Sequence, residues 1–283
     1  MMKAMSSKNS ASVGKWNLWE KHRSKIVSGI GVWRGGIDVY CRGYSLFSEL
    51  MGKVSYMQLH ILNCTGKLLT RAEADWLECN WMGLSYPDSR IWCNQVAALC
   101  GDMGTTPVDA VAAAILTADS RAFGGSQTSK IGMEFLQKAM MVYKAEKSMD
   151  DVILLAPQRL NKPMINGFAR PVDRQDERLG PYKREMARLG LEQGEYLLFA
   201  LALSDYLYEK YQLGINSGGF ANAFLLDCGI TPEEAYLIKS YAVASGAVAC
   251  YADNLHHSQP RMFLPLRCQD IQYTGIAPRP VPD

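Results

Sequence analysis

The sequence lacks the patterns that define several broad classes of protein. Its eight cysteines form no CxxC pair and no paired spacing, so we predict no disulfide framework and expect reduced thiols in a cytoplasmic protein. No stretch approaches twenty uninterrupted apolar residues, and no membrane span is predicted. The most apolar stretch, Ala235 to Cys250, is interrupted by Lys239 and is predicted to be a buried, closely packed helix.

Metal-binding and generic catalytic patterns are also missing. Only four histidines occur, and the adjacent pair His256 and His257 would point in different directions on a helix, so no metal site is predicted. The run Phe123-Gly124-Gly125-Ser126 is neither a P-loop nor a Rossmann fingerprint, because no strand precedes it and the other required residues are absent. No GxSxG elbow is present.

Charge is nearly balanced along the chain, with 30 lysines and arginines against 28 acidic residues. The basic residues are scattered rather than gathered into a stripe, so we expect no nucleic-acid partner. The first nineteen residues hold three lysines, several serines and no acid, and we expect residues 1–20 to form a flexible tail.

Helix starts are well marked. Three of them carry a threonine cap followed by an acidic residue or a proline: Thr70 with Glu73, Thr106 with Pro107 and Asp109, and Thr231 with Pro232 and Glu234. With the apolar periodicity they predict helices that include 72–82, 108–118, 130–147 and 192–212. Strand-forming residues are confined to about 25–44, around Gly35-Gly36, as in a hairpin. The predicted class is therefore mainly α with a short N-terminal β-hairpin.

Several short motifs occur in an order that is informative as a set: Arg42-Gly43-Tyr44, Phe123-Gly124-Gly125, Asn166 to Val172 ending in Asp176-Glu177-Arg178, Asn216-Ser217-Gly218-Gly219 leading to Leu226-Asp227-Cys228-Gly229, and Tyr273-Thr274-Gly275. In this order and spacing, over about 25–279, they resemble the citrate synthase superfamily, and its short citryl-CoA lyase branch in particular. The resemblance implies a citrate synthase-like fold with a large and a small helical domain. We expect large-domain helices and the hairpin in 21–160, a substrate-closing region in 161–250 and a return to the large domain in 251–283.

The resemblance also implies which catalytic residues have been replaced. In the usual mechanism one His holds the enol, a second His polarises the oxo-acid carbonyl, and an Asp removes a methyl proton. The family's HGG reads Phe123-Gly124-Gly125 here, its GFGHP has Arg170 in place of the His, and its NxDG has Gly218 in place of the Asp. A further histidine position is taken by Met82 beside Gly83. Neither Phe, Gly nor the always-protonated Arg can abstract a proton near pH 7.

The candidate site is built on what the pattern retains. Arg178 matches the Arg of the family's DPR motif, which binds a substrate carboxylate, and Arg170 adds a second positive charge. His256 and His257 are candidates for a relocated acid or base. The substrate-binding candidates are those at the replaced or retained family positions: Met82, Phe123, Gly124, Gly125, Asn216, Gly218 and Gly219. Solvated loop arginines and a polar helix terminus are the alternative interpretations.

The segment 160–181, rich in Gly, Pro and charge, is the predicted hinge or active-site segment. Its neighbouring charged residues fall into two groups: Asp173, Asp176 and Glu177 as candidate carboxylate bases, and Lys162, Arg174, Lys183 and Arg184 as candidate partners of CoA phosphates. A charged mobile loop explains both groups equally well.

Two functional hypotheses follow from the resemblance. The first is a diverged enzyme that acts on an acyl-CoA or related thioester and a carboxylate-bearing partner, with no permanently bound cofactor, in altered carbon–carbon or acyl-transfer chemistry. The second is a non-catalytic ligand-binding or partner subunit with the same fold. Both imply small-molecule ligands and a homodimer, or a pair with a paralogue.

Overall fold

The structure is a computed structural model that describes residues 20, 23–24, 27–120, 125–170, 176–257 and 267–282. Its contacts divide the chain into two compact units, residues 1–53 and 54–283. Among the described helices, none combines the length and the apolar character that crossing a bilayer requires. The domain boundaries predicted at 160 and 250 stay a prediction.

The first unit contains a three-stranded antiparallel sheet in the order β1 (Gly31–Arg34), β2 (Asp38–Cys41) and β3 (Tyr44–Ser45). Trp33 pairs with Val39 in its register, and the β1–β2 turn uses Gly36 at φ +72°, where a residue with a side chain would be strained. A single π-helical turn, Leu46–Leu50, follows. The predicted hairpin around Gly35-Gly36 is confirmed.

The second unit is helical. Its described residues form eleven α-helices: α1 (Tyr56–Thr65), α2 (Arg71–Met82), α3 (Trp92–Asp102), α4 (Pro107–Ala118), α5 (Ser126–Glu146), α6 (Met149–Leu154), α7 (Leu179–Arg188), α8 (Glu195–Tyr211), α9 (Ser217–Asp227), α10 (Pro232–Lys239) and α11 (Ala244–Leu255). A short 3-10 turn, Cys268–Asp270, lies near the C-terminus. The prediction of a mainly α protein is confirmed.

The three predicted helix starts are all present. Thr70, Thr106 and Thr231 each accept a hydrogen bond from the backbone of the third helical residue, whose carboxylate in turn accepts from the threonine N–H. These capping boxes satisfy two backbone donors that would otherwise lack a partner at each helix start. The predicted starts of α2 and α4 are therefore correct to within one residue.

Two predictions about secondary structure are wrong. The stretch Ala235 to Cys250 is not one helix: α10 ends at Lys239 and α11 begins at Ala244. The break places the Tyr241 ring against His60 and Trp81, with ring centroids 4.8 and 5.0 Å away. Edge-to-face contacts of this kind contribute beyond their buried area.

Strands are also not confined to 25–44. A two-stranded hairpin forms from β4 (Gln158–Arg159) and β5 (Lys162–Pro163). Its turn residues Leu160 and Asn161 both have positive φ, 50° and 58°. A two-residue turn of this type normally carries Asn-Gly or Asp-Gly, and these strands are too short to show alternating apolar and polar residues. No local sequence pattern therefore predicted the β4–β5 hairpin.

The helices enclose two groups of buried apolar residues. The larger surrounds Trp76 of α2, whose indole contacts Phe220 and Phe224 of α9 and donates to the Tyr182 carbonyl at 3.1 Å. The smaller lies between α3, α4 and α11 and consists mostly of alanines. Small side chains allow these three helices to approach closely, as the alanine-rich sequence of α4 predicts.

Candidate functional site

The candidate site is organised by a close contact between the loop at Gly167 and the first turn of α9. Gly167 has φ +99°, and a Cβ atom there would lie 2.6 Å from the Gly219 Cα. A Cβ on Gly219 would collide with the Gly167 carbonyl. The same carbonyl accepts the Asn216 N–H at 2.8 Å. Only glycine fits both positions, because the two backbones touch.

Asn216 caps α9. Its side-chain oxygen accepts from the N–H groups of Gly218 and Gly219 at 2.8 and 3.1 Å, and its amide nitrogen donates to the Ala169 carbonyl at 2.6 Å. This cap satisfies backbone donors at the helix start. Asn216 therefore ties α9 to the loop that carries Arg170.

Asp176 continues this arrangement as a fully buried carboxylate. It accepts the Ser217 N–H at 2.7 Å, and it accepts Nε and Nη2 of Arg178 at 2.8 and 2.7 Å. Burial alone would raise the pKa of Asp176, but the hydrogen bonds from Arg178 and Ser217 hold it below the usual value. The carboxylate is therefore charged and occupies both the fork of Arg178 and the start of α9.

Arg178 is engaged on its other side as well. Its Nη1 donates to the Gly83 carbonyl at 3.0 Å, so the guanidinium links α2, Asp176 and α7. The Tyr182 hydroxyl lies 3.1 Å from the Ser217 Oγ, and a Cβ on Gly83 would collide with that hydroxyl. Burial raises the pKa of Tyr182, which keeps the phenol protonated.

Arg170 completes a group of four residues, Arg170, Asp176, Glu177 and Arg178, that we call the arginine cluster. Arg170 forms an ion pair with Glu177, and its Nη1 lies 3.8 Å from Asp176 Oδ1. Its side chain is only 16% exposed, whereas that of Glu177 is 69% exposed. A guanidinium held here can polarise a carbonyl or bind a carboxylate.

Other predicted residues lie around this cluster or outside the described residues. Met82, 66% exposed, ends α2 next to Gly83. Gly125 precedes α5 at φ +140°, where a Cβ would collide with the Ala118 carbonyl. Phe123 and Gly124 lie outside the described residues, as do Asp173 and Arg174.

His256 and His257 lie elsewhere, at the C-terminal end of α11. His257 Nε2 is 3.4 Å from Asp253 Oδ1, four residues earlier. His257 also lines a cavity of about 310 Å³ with Asp102 and Asn254, and none of the residues lining that cavity belongs to the arginine cluster. The structure thus groups the two arginines with Asn216, Gly218 and Gly219. His256 and His257 lie instead at the end of α11, where His257 lines a cavity that no residue of the arginine cluster lines.

Comparison with known proteins shows what kind of fold carries this site. No protein-family model and no curated protein matches the sequence significantly. Among solved structures, citryl-CoA lyase from Hydrogenobacter thermophilus superposes with a TM-score of 0.73 at 23% identity, over 91% of this chain and 97% of that one. The chain has the citrate synthase fold.

Two further solved structures with this fold also superpose on the chain. ATP citrate lyase from Methanothrix soehngenii matches with a TM-score of 0.72 at 15% identity, over 98% of this chain but 46% of its own. Citrate synthase from Pyrobaculum aerophilum matches with a TM-score of 0.57 at 16% identity, over 78% of this chain and 55% of its own. The resemblance to the citrate synthase superfamily is confirmed at the level of fold.

Within this citrate synthase fold, sequence reasoning missed two members of the site. Ser217 supplies the N–H that binds Asp176, and Tyr182 fills the space beside Gly83. No helix was predicted over 179–188, although Leu179, Tyr182 and Met186 show the spacing of an apolar face. That periodicity was the available signal for Tyr182.

Proposed function

We propose that this protein binds an acyl-CoA or related thioester together with a carboxylate-bearing partner, and performs altered carbon–carbon or acyl-transfer chemistry rather than ordinary citrate synthesis. Proteins with this fold support the ligand class: the Methanothrix soehngenii ATP citrate lyase was solved with citrate and coenzyme A. The citrate synthase from Thermoplasma acidophilum was solved with carboxymethyl coenzyme A and oxaloacetate.

The observation that carries the proposal is the arginine cluster at the start of α9. Arg170 is fixed there by two carboxylates, next to a loop whose glycine backbone touches Gly219. A positioned guanidinium stabilises negative charge that develops on a carbonyl oxygen. In this proposal Arg170 polarises the ligand carbonyl, and Arg178 acts as a positioning residue through Asp176.

Ordinary citrate synthesis is not favoured because the cluster holds no good base near neutral pH. Asp176 is engaged by Arg178 and Ser217, and the pKa of Glu177 is lowered by a backbone N–H and by Arg170. A carboxylate with a lowered pKa is a weak proton acceptor. His256 and His257 remain the proposed acid–base candidates, and a ligand would have to connect them with the cluster.

The second candidate function is a non-catalytic ligand-binding or partner subunit. It is favoured by the engagement of Arg178, whose Nε, Nη1 and Nη2 all donate to groups of the protein itself. It is also favoured by the position of the histidines at the end of α11, where His257 lines a cavity that no residue of the arginine cluster lines. Under this alternative the cluster would be structural.

The proposal includes a homodimer, or a pair with a paralogue, in the cytoplasm. The outer face of α4 supports association, because Val108 and Leu116, two helical turns apart, are 75% and 79% exposed. Large exposed apolar side chains on one helix face are typical of interfaces. Light scattering of the purified chain, compared with its V108D/L116D variant, tests this part.

Isothermal titration with acetyl-CoA, followed by citrate, tests the ligand proposal. We expect saturable binding of acetyl-CoA to the wild-type chain and weaker citrate binding in R170A. Absence of acetyl-CoA binding contradicts the proposal. Identification by mass spectrometry of a molecule that co-purifies with the chain then supplies a substrate for turnover assays, in which an activity lost in R170A excludes the non-catalytic alternative.

A further inference from the structure

Two departures from the citrate synthase pattern contact each other. By the motif resemblance, Arg170 takes the position of the histidine in the family's GFGHP motif, and Glu177 takes that of the proline in its DPR motif. The structure joins these two replacements in one ion pair. Arg170 therefore already has a carboxylate partner, Glu177, within the protein.

This pairing changes the charge of the site. The arginine cluster contains two guanidinium groups and two carboxylates, so its formal charge is zero. The pKa of Glu177 is lowered by a backbone N–H and by Arg170, so this carboxylate is ionised near neutral pH. A ligand carboxylate that approaches Arg170 is repelled by the like charge of Glu177 and must displace it to pair with the guanidinium.

The two carboxylates of the cluster differ in how firmly they are held. Asp176 is buried and is held by Arg178 and by the Ser217 N–H. The Glu177 side chain is 69% exposed and pairs with Arg170. Exposed ion pairs contribute little to stability, so Glu177 can be displaced from Arg170 at small cost, whereas Asp176 cannot.

We infer that Glu177 is a specificity-determining residue: its carboxylate competes with the ligand's carboxylate for Arg170 and weakens the binding of multiply charged acids at this site. The inference rests on the proposed function, since that function places the ligand carbonyl at Arg170, where a carboxylate of the ligand would also pair with the guanidinium. It implies that the wild-type site favours a neutral carbonyl group over a second carboxylate at this position.

Calorimetric titration with citrate tests the inference. We compare the wild-type chain with E177Q, which removes the charge and keeps the shape, and with E195Q, which neutralises a glutamate of similar exposure paired with Lys144 outside the cluster. The expected result is citrate affinity up to about fivefold higher in E177Q, the change that corresponds to the cost of displacing one exposed ion pair. E195Q should bind citrate as the wild type does.

The double variant R170Q/E177Q should lose this gain, because the gain requires the arginine. Higher salt should shrink it, since the competition is between charges. Unchanged or weaker citrate binding in E177Q overturns the inference, and so does an equal gain in E195Q or in R170Q/E177Q.

Acetyl-CoA titrated into the same proteins separates this inference from the proposed function. Acetyl-CoA binding with no gain for citrate in E177Q contradicts the competition alone. A citrate gain without acetyl-CoA binding by any variant contradicts the proposed function alone. Failure of both ligands to bind any variant contradicts both.

Discussion

The buried Asp176 carboxylate accepts two hydrogen bonds from Arg178, at 2.8 Å from Nε and 2.7 Å from Nη2. The oxygen that accepts Nη2 also accepts the Ser217 N–H that starts α9. One buried anion thus joins α7 to α9, and Arg178 carries the connection on to Gly83 of α2. This geometry makes Asp176 more important for stability than Glu177, the other carboxylate of the arginine cluster.

The D176N substitution should therefore destabilise the fold strongly. It leaves Arg178 buried without its counter-charge, and breaking a buried pair in this way costs about 3–5 kcal/mol. Urea denaturation at pH 7 measures the change in the free energy of unfolding. E185Q is the control, because it breaks a less buried ion pair within α7, between Glu185, which is 22% exposed, and Arg188, which is 65% exposed. Equal losses in the two variants would contradict the role given to Asp176.

The same carboxylate should contribute to acid denaturation. The pKa of Asp176 is lower in the folded chain than in the unfolded chain, so the unfolded state binds more protons as pH falls. The stabilisation is complete above the unfolded pKa of about 4 and is lost as pH falls through the folded pKa. Denaturation between pH 7 and 3 should show the difference between wild type and D176N constant at first and shrinking below about pH 4. A difference that stays constant over this range would exclude the linkage.

Much of the fold was predictable because its signals are local. The caps at Thr70, Thr106 and Thr231 depend on residues three positions apart, and all three formed as predicted. The β1–β2 hairpin was marked by Gly35-Gly36 in the same way. The failures at 240–243 and at Leu160-Asn161 occurred where tertiary contacts or a tight turn overruled local preference.

The site was only partly predictable. Motif order indicated Arg170, Arg178, Asn216 and Gly219 as neighbours, and the structure groups them. That order could not indicate that Asp176 would fill the fork of Arg178, since the sequence does not reveal which carboxylate a guanidinium contacts. The tight fit between Gly83 and Tyr182 also depends on how α2 and α7 pack.

The contact between Gly83 and Tyr182 should make G83A destabilising. Gly83 has an ordinary helical φ of −70°, so the cost arises from the collision of the new methyl group with the Tyr182 hydroxyl and not from backbone strain. Overpacking of this kind costs about 1–3 kcal/mol. Y182F removes the hydroxyl and should recover part of the loss in the double variant, as a double-mutant cycle by thermal denaturation would measure. Strictly additive losses would show that the collision is not the cause.

Asn80 should limit stability rather than add to it. Its side-chain nitrogen and oxygen are buried and have no hydrogen-bond partner in the part of the chain that the structure describes. Replacing such a group by an apolar one of similar size removes a desolvation cost, so N80L should raise the free energy of unfolding by about 1–3 kcal/mol. N254L is the matched control, because buried Asn254 donates to Asp102 at 3.1 Å and its loss should destabilise. A destabilised N80L would instead indicate that a bound water or ligand satisfies Asn80.

Lys239 should give the fold a distinctive dependence on alkaline pH. The lysine is buried at the end of α10, where Nζ donates to Ser129 Oγ at 3.1 Å and Asn222 Oδ1 at 3.3 Å, and burial lowers its pKa to about 8. The unfolded lysine has a pKa of about 10.4, so between these values the unfolded state binds one more proton than the folded state. Stability therefore rises as pH increases through this window, by about 3 kcal/mol in total, and is not affected by this group's titration below it.

The K239M variant should lose this rise. At pH 7 K239M should change the free energy of unfolding only slightly. The gain from removing a buried charge is offset by the loss of the donor to Ser129 and Asn222. The informative quantity is the difference in unfolding free energy between wild type and K239M, measured by urea denaturation from pH 7 to 10. K144M, which removes a lysine that is 53% exposed, should keep the wild-type slope. If K239M keeps that slope as well, the buried amine of Lys239 is not the titrating group. The contacts of Lys239 with Ser129 of α5 and Asn222 of α9 would then contribute to packing alone.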